Sequence, residues 1–344
     1  MLACLGKELE LKSAKWPHKL DTIYLGGGTP SILSKQELTT LLDSVYRHFE
    51  CVSNPEITLE ANPEDLSAST AEHFLSVGIN RISIGIQTFL DDQLRRLNRG
   101  HSGEQGMASV AAARQAGLTN ISVDLMFGLP GSSQMDWEDD LDKLIELNVP
   151  HASIYGLIIE TKTAFGRWAA KGQIAIPDED IQAICFRTAH QRLTAAGFDH
   201  YEVSNYARSG YMARHNTSYW KQVPFLGIGP GAHSFDGNSR AYNVRSNPAY
   251  IRAIKEGKIP EKQETLSRIQ QVNEYIMTRV RTNFGLDLAS MGKVYDIDLL
   301  ADKRTELNKL LRKGLLISSE DRLKTTAEGL LFADEIALEL FYEE

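Results

Sequence analysis

Cysteine is scarce in this 344-residue chain: there are three, and no two of them lie close together in the sequence, namely Cys4, Cys51 and Cys185. Such spacing provides neither a disulfide framework nor a CxxC metal-binding motif. The chain also lacks an apolar run long enough to cross a bilayer, and its first residues lack the apolar core and cleavage site of a secretory signal. These absences predict a cytoplasmic protein with free, buried thiols and no transmembrane segment.

An excess of positive charge is absent as well. Lys and Arg together number 37 against 45 Asp and Glu, which gives a formal net charge of -8. A nucleic-acid partner requires a basic face that neutralises phosphates, so we predict no such partner. With 42% hydrophobic residues, the chain is long enough to bury a large core and to form one large domain with a smaller one.

Short apolar strands alternate with amphipathic helices over the first two-thirds of the chain. The strand patterns lie at 21–27, 56–62, 81–87, 120–131 and 151–160, and the helical patterns at 35–50, 67–78, 91–97, 103–117, 134–148 and 179–197. Ser34, Gly78, Gly117 and Gly197 occupy positions typical of helix caps. This alternation predicts an α/β fold with right-handed crossovers and a parallel sheet, either open or curled into a barrel.

The last third of the chain has a different pattern. Residues 201–250 are rich in aromatics, Gly, Asn and His, and helical periodicity begins near residue 263. The stretch "GLLISSEDRLKTT" (314–326) predicts a β-ribbon between helices, which resembles a winged helix. Because the chain is acidic, we expect this module to be a packing domain or substrate lid. The predicted domains are 1–205 (barrel), 206–262 (connecting segment) and 263–344 (C-terminal helical domain).

Glycines and polar residues stand at the ends of successive predicted strands. They are Gly26 to Thr29, Glu60, Asn62, Gln87, Arg99, Asp124, Tyr155 and Gly156. Ligands of parallel α/β sheets and barrels bind beyond the carboxyl ends of the strands, so this set suits a polar ligand with an amino group, a carboxylate and hydroxyls.

Structural explanations exist for each of these residues: a tight turn for the glycines, a helix cap for Glu60, an ion pair for Asp124. Gln87 is harder to explain in this way, because a buried amide needs hydrogen-bond partners. The stretch "GGGTPS" matches neither a dinucleotide-binding fingerprint nor a P-loop.

Several motifs in fixed order resemble radical SAM proteins of the oxygen-independent coproporphyrinogen III oxidase type. They are "YLGGGTPSIL", "EANPEDL", "GINRISIGIQTF", "LNRGHS", "ISVDLMFGLPGSS" and "FLGIGPGAHSF". The segment "HNTSYW" (215–220) resembles, more closely, the branch of heme chaperones called HemW. The resemblance covers essentially the whole chain and implies a partial (β/α) TIM-like barrel with a smaller helical, winged-helix-like C-terminal domain.

The resemblance also implies S-adenosylmethionine bound at the carboxyl ends of the barrel strands. Its methionine end would contact Gly27, Gly28 and Thr29. The polar shell would be completed by Glu60, Gln87, Arg99 and Asp124, and Gly156 would lie along the adenosine.

Heme binding is implied by the same resemblance. His215 would be the axial ligand of the heme iron, because neutral imidazole suits iron, and Tyr219 and Trp220 would pack against the porphyrin. His233 is a lesser candidate. The alternative, that "HNTSYW" is a structural turn with a hydrogen-bonded histidine, stays open.

The sequence departs from this family at the cysteines. Radical SAM chemistry needs a [4Fe–4S] cluster held by Cys-x3-Cys-x2-Cys, and no such loop is written in this chain, whose Cys51 and Cys185 fall on helical patterns. Because "LGKELEL" (5–11) resembles the helix after that loop, we expect the chain to start one strand and one loop late. A misassigned start or a truncation is favoured over a cluster-free paralogue. As written, the chain should not cleave S-adenosylmethionine, and one barrel edge should be unpaired.

The resulting prediction is a heme chaperone that binds heme and delivers it to acceptor proteins, with S-adenosylmethionine, and in a full-length protein a [4Fe–4S] cluster, at the barrel. One alternative is an oxygen-independent coproporphyrinogen III oxidase-like enzyme of porphyrin biosynthesis. Another is a cluster-free paralogue that binds a ligand without catalysis. Enzymatic activity and homodimer formation are left open.

Overall fold

The computed structural model describes residues 1–175 and 178–343. Its strands are β1 (Leu20–Leu25), β2 (Cys51–Ala61), β3 (Arg81–Gln87), β4 (Ile121–Phe127), β5 (His151–Gly156), β6 (Asp199–Glu202), β7 (Asn205–Ala207), β8 (His233–Phe235), β9 (Ser239–Asn243), β10 (Glu261–Thr265), β11 (Leu286–Asp287), β12 (Leu316–Ser319) and β13 (Arg322–Thr325).

The helices surround these strands. They are α1 (Leu2–Ser13), α2 (Lys35–His48), α3 (Ala68–Ser76), α4 (Asp91–Arg96), α5 (Gly103–Gln115), α6 (Gln134–Glu146), α7 (Ala164–Ala170), α8 (Glu179–Ala195), α9 (Arg214–Trp220), α10 (Asn247–Lys255), α11 (Arg268–Arg279), α12 (Leu288–Tyr295), α13 (Leu299–Asp302), α14 (Arg304–Arg312), α15 (Ala327–Leu331) and α16 (Ala333–Leu340). No helix in the described part of the chain is both long and apolar enough to span a membrane.

A seven-stranded sheet in the order β1-β2-β3-β4-β5-β7-β6 forms the predicted partial (β/α) barrel. Strands β1 to β5 are parallel, and β7 and β6 close the far edge as an antiparallel pair. β1 lies at the other edge and pairs with β2. The α/β fold class and the parallel strand order are therefore confirmed.

Period-two alternation in β3 explains which side chains face the barrel interior. Ile82, Ile84 and Ile86 are fully buried in the core between sheet and helices, and Ile86 packs against Gly106 of α5. The intervening Ser83 donates a hydrogen bond to Asp124 of β4. One face of the strand therefore packs under the helices, and the other provides polar groups to the interior.

Helix caps follow the sequence signals closely. Ser34 forms a capping box with Glu37, and Gly78, Gly117 and Gly197 have φ values of 100°, 97° and 87°, the left-handed conformation that ends a helix. The expectation for Cys51 was wrong: it begins strand β2 instead of extending α2.

The weakly periodic middle of the chain is ordered by contacts distant in sequence. Strands β8, β9 and β10 form a small antiparallel sheet, and helix α9, which carries "HNTSYW", packs against β1. Helix α1 is attached to this segment by its fully buried Glu8, which accepts hydrogen bonds from the side chain of Asn243 and the backbone of Gly229.

The C-terminal part has its own hydrophobic core, built from α11 to α14, α16 and a three-stranded sheet in the order β11-β13-β12, whereas Leu330 of α15 packs in the core of the barrel. The predicted ribbon 314–326 corresponds to β12 and β13. The winged-helix-like prediction is confirmed in this helix and ribbon arrangement, whereas the domain boundaries at 205 and 262 stay predictions.

Candidate functional site

The loop after β1 is held by a carboxylate from β2. Glu60 accepts a hydrogen bond from the Tyr24 hydroxyl over 2.8 Å and one from the Gly27 backbone N–H over 3.1 Å. Gly26 has no room for a side chain, because a Cβ there would lie 2.5 Å from the Tyr24 ring. Burial and the neighbouring Glu60 raise the pKa of Tyr24, so its hydroxyl stays protonated and donates.

Gln87 and Arg99 meet over Gly85 near the end of β3. A Cβ on Gly85 would lie 2.9 Å from Arg99 Nη2 and 3.0 Å from Gln87 Nε2. Arg99 donates to the Gly85 carbonyl over 2.7 Å and to Asn62 Oδ1 over 3.2 Å. Gln87 has a φ of 72°, uncommon for a residue with a side chain, and strand-end strain of this kind is often found at functional sites.

Asp124 lies on the interior face of β4, where it accepts a hydrogen bond from Ser83 over 3.0 Å. Burial raises the pKa of Asp124 to about 6, against the lowering effect of the Ser83 hydrogen bond. Gly156 is the last residue of β5, and a Cβ there would come within 3.1 Å of the Phe127 ring.

The predicted strand-end residues are therefore partly in direct contact. Glu60 forms a hydrogen bond with the glycine loop, and the side chains of Arg99 and Gln87 both lie over Gly85. Arg99 is in turn hydrogen-bonded to Asn62, which follows β2. Thr29 is exposed beside a short 3-10 helix and makes no cap hydrogen bond. Within residues 1–175 and 178–343, neither Thr29 nor Gly156 forms a hydrogen bond with the other predicted site residues.

These residues fit an amino-acid ligand. The Nε of Arg99 is buried and has no hydrogen-bond partner within the described chain, so this guanidinium retains donor capacity for a carboxylate. At Gly27 and Gly28, no atom lies within 4 Å of the position that a Cβ would occupy. A bound ligand could therefore approach the backbone of this loop closely.

His215 lies on α9 with both ring nitrogens hydrogen-bonded inside the protein. Nδ1 is 2.8 Å from Thr22 Oγ1, and Nε2 is 2.7 Å from the Tyr219 hydroxyl. The buried Glu56 accepts the His215 backbone N–H over 2.9 Å and so fixes the start of the helix. His215 is therefore a hydrogen-bonded histidine, as the structural alternative for "HNTSYW" requires. Iron could reach Nε2 only after Tyr219 moves away.

Burial lowers the pKa of His215 to about 4, and the nearby Arg81 guanidinium acts in the same direction. The imidazole is therefore neutral at pH 7, the form that ligates metals. Tyr219 retains 41% exposure, and Trp220 is half-buried at the end of the same helix.

His233 differs from His215 in that it is exposed. Its ring stacks at 5.8 Å on Tyr242, and neither ring nitrogen has a hydrogen-bond partner in the part of the chain that the structure describes. Of the two candidate histidines, His233 thus has the freer imidazole.

Tyr24 joins the two predicted sites and was missed by sequence reasoning. Its ring stacks on His215 with centroids 4.7 Å apart, while its hydroxyl binds Glu60. The available signal was period-two alternation, which places Tyr24 on the same face of β1 as Thr22 and Gly26. Through Tyr24, the glycine loop and the "HNTSYW" helix are mechanically connected.

A second missed residue is Arg81 at the start of β3. It is 2% exposed, and its Nε has no hydrogen-bond partner among the described residues. Its charge lowers the pKa of His151 as well as that of His215, after burial in both cases. Burial therefore keeps His151 and His215 neutral, and the charge of Arg81 acts in the same direction.

The cysteines do not fit a [4Fe–4S] cluster. Cys4, Cys51 and Cys185 pack in three different hydrophobic clusters, and burial raises the pKa of the Cys51 and Cys185 thiols. Cluster ligands must be thiolates. The described residues contain no group of three or more His, Cys, Asp or Glu side chains arranged for a metal ion.

Two family models match the chain: the radical SAM superfamily over residues 8–144 and the HemN C-terminal domain over residues 266–332. A heme chaperone HemW from Bacillus subtilis is 34% identical over 92% of this chain and 84% of its own length. One from Mycobacterium tuberculosis is 36% identical over 97% and 84%. The solved structure of Escherichia coli coproporphyrinogen III oxidase (HemN) has a TM-score of 0.84 at 22% identity, covering 99% of this chain and 82% of that one.

Proposed function

Because this chain belongs to the HemW family of heme chaperones within the radical SAM superfamily, we propose that it binds heme and passes it to acceptor proteins. The observation that carries the proposal is a pair of histidines beside partly exposed aromatic side chains: His215, whose imidazole is neutral at pH 7, and His233, which is exposed. The His215 ring lies 4.9 Å from that of Tyr219, and His233 lines a pocket with Tyr219 and Phe225, whose rings are 4.7 Å apart. A flat apolar ligand with a central iron suits such a surface.

Exchange of one hydrogen bond would open His215 to iron. The Tyr219 hydroxyl occupies Nε2, so its partly exposed side chain would have to turn away from His215 and give up this hydrogen bond. Thr22 would keep Nδ1 in place, which orients the ring in the way that outer-shell partners orient metal-bound histidines. A chaperone needs binding that can be reversed, and a competing tyrosine provides that.

S-adenosylmethionine is the ligand we propose for the strand ends. Gly27, Gly28 and Thr29 would hold its methionine end, the polar shell would consist of Glu60, Gln87, Arg99 and Asp124, and Gly156 would lie along the adenosine. Glu60, whose carboxylate already organises the glycine loop, would supply negative charge for the positively charged groups of this ligand. No radical step is assigned to this chain, since its cysteines do not fit a cluster.

Titration with hemin tests the heme proposal, with the Soret band as the readout. We expect a shifted Soret band in the wild type and a weaker shift in His215→Ala, because the axial ligand is lost. His233→Ala measures the second candidate in the same way. His73→Ala, which removes an exposed histidine of α3, is the matched control.

If His215→Ala gives the wild-type spectrum and affinity, His215 is not a ligand, and an accompanying loss in His233→Ala would reassign the role. If neither variant differs from His73→Ala, iron is not bound by this surface.

A further inference from the structure

A cleft of about 600 Å³ separates the end of α9 from the C-terminal domain. Lys221 and Gln222 bound it on the side of α9. A smaller pocket of about 160 Å³ adjoins it, shares Gln222 and Phe235 with it, and is lined by Tyr219 and other residues. The larger volume is in the range of small-molecule sites, and the cleft is continuous with the surface around "HNTSYW".

Aromatic rings form much of the cleft wall. Phe235, Tyr275, Phe284 and Tyr295 line it, and the rings of Tyr275 and Tyr295 are 5.5 Å apart at 52°. Walls of this kind suit a flat, largely apolar ligand whose faces can contact rings.

Two cations in the cleft are held by aromatic faces and not by carboxylates. The Arg279 guanidinium lies 5.1 Å from the Tyr275 ring centre, and the Lys221 ammonium lies 5.1 Å from that of Phe284. Neither cation has an ion-pair partner in the described part of the chain, and Arg279 Nε is buried without a hydrogen bond. Their N–H groups therefore remain available to an incoming anion.

The carboxylates of the cleft are already neutralised by other residues. Glu274 is paired with Arg240 over 2.8 Å, and Asp287 with Arg322 over 2.8 Å. Lys221 and Arg279 therefore give the cleft a local excess of positive charge, which Asp287 offsets in part at Arg279, in a chain whose net charge is -8. This local excess favours a ligand with two negative groups.

We propose that this cleft binds the carboxylate edge of a tetrapyrrole. Lys221 and Arg279 bind its two carboxylates, and the aromatic wall contacts the ring system; the inference rests on the heme-chaperone function proposed above. A tetrapyrrole combines a flat apolar face with carboxylates on one edge, which is the combination that this cleft matches. Two cations that can each grip a carboxylate provide the specificity for that edge.

Binding of metal-free protoporphyrin IX to the full chain, followed by porphyrin fluorescence, tests the cleft without any contribution from iron ligation. We expect at least a tenfold loss of affinity in a Lys221→Gln/Arg279→Gln double variant, and a smaller loss in Lys221→Gln alone, which changes an exposed side chain and cannot disturb the core. The controls Lys255→Gln and Arg304→Gln, both exposed, should bind like the wild type. The porphyrin dimethyl ester should bind all variants equally, because it lacks the carboxylates.

The cleft assignment would be overturned if the double variant and the controls bound protoporphyrin IX with equal affinity. It would also be overturned if the wild type bound protoporphyrin IX and its dimethyl ester with equal affinity. If hemin still gives a Soret shift in that case, the heme-chaperone function stands and only the cleft is wrong. If the wild type binds neither hemin nor porphyrin, the proposed function and the cleft fall together.

Discussion

Replacement of Gly26 and Gly28 by alanine tests the architecture of the glycine loop with identical chemistry at two positions. At Gly26 the new Cβ would lie 2.5 Å from the Tyr24 ring and 2.7 Å from Glu60 Cδ, well inside the 3.5–4.0 Å of an ordinary contact. At Gly28 nothing lies within 4 Å, and the backbone does not have a positive φ.

The expected costs therefore differ. Overpacking costs about 1–3 kcal/mol, and losing a hydrogen bond to a carboxylate costs about 1.5–3 kcal/mol. Because one movement of Tyr24 relieves the clash and breaks the bond together, we expect a total of about 2–3 kcal/mol for Gly26→Ala. Gly28→Ala should change the free energy of unfolding by less than about 0.5 kcal/mol.

Urea denaturation followed by tryptophan fluorescence measures this difference. All four tryptophans precede residue 263, so the signal comes from the barrel and connecting segment and not from the C-terminal domain. With an m-value of about 3 kcal/mol/M, the Gly26→Ala midpoint should fall by about 0.7–1 M. Equal midpoints for the two variants would refute the crowding of Tyr24 and Glu60 against Gly26.

Three further changes test other parts of the structure. Acidification should destabilise the protein as the pH falls from 6.5 to about 4, because His215 takes up its proton at a higher pH in the unfolded state than in the folded state. The variant His215→Gln should lose about 3 kcal/mol less stability over this pH range, as measured by thermal melts at each pH. A variant with the same pH profile as the wild type would contradict this expectation. Arg99→Lys should weaken S-adenosylmethionine binding about tenfold, as measured by calorimetry, since lysine cannot donate the paired hydrogen bonds of a guanidinium to a carboxylate. The exposed Arg95→Lys should bind like the wild type. Equal affinities for the two variants would show that the Arg99 guanidinium does not contact the ligand. Glu8→Ala should cost about 3–5 kcal/mol by leaving a buried network unpaired, whereas the exposed Glu10→Ala should melt like the wild type; similar melting of the two variants would contradict that reasoning.

Local patterns in the sequence were enough to predict the parallel sheet, and the family resemblance implied its partial barrel form. The alternation in "RISIGIQ" predicts β3 at residues 81–87, as observed, because one face packs under helices and the other does not. The strand patterns also place Glu60 near the end of β2 and Asp124 on β4, as observed, whereas the polar shell assigned to them stays a prediction. Helix caps depend on neighbouring residues only, so Ser34 was identifiable as well.

Contacts between distant residues could not be read in this way. The stacking of Tyr24 on His215 joins β1 of the barrel to α9 of the connecting segment, and no sequence periodicity connects the two residues. Likewise, Glu8 finds Asn243 only after both segments fold. Cys51 was wrongly predicted to be helical because only two residues, 49 and 50, separate α2 from β2. The apolar pattern does not change at this short connection.

Heme transfer is the measurement that most directly tests the central claim, that this chain delivers heme. The hemin-loaded chain would be mixed either with apomyoglobin in excess, which captures heme released spontaneously, or with the apo form of a heme enzyme from the same cell. We predict transfer to the enzyme that is faster than spontaneous release and rises to saturation with enzyme concentration. Arrival of heme at both acceptors with one and the same release rate would contradict the account.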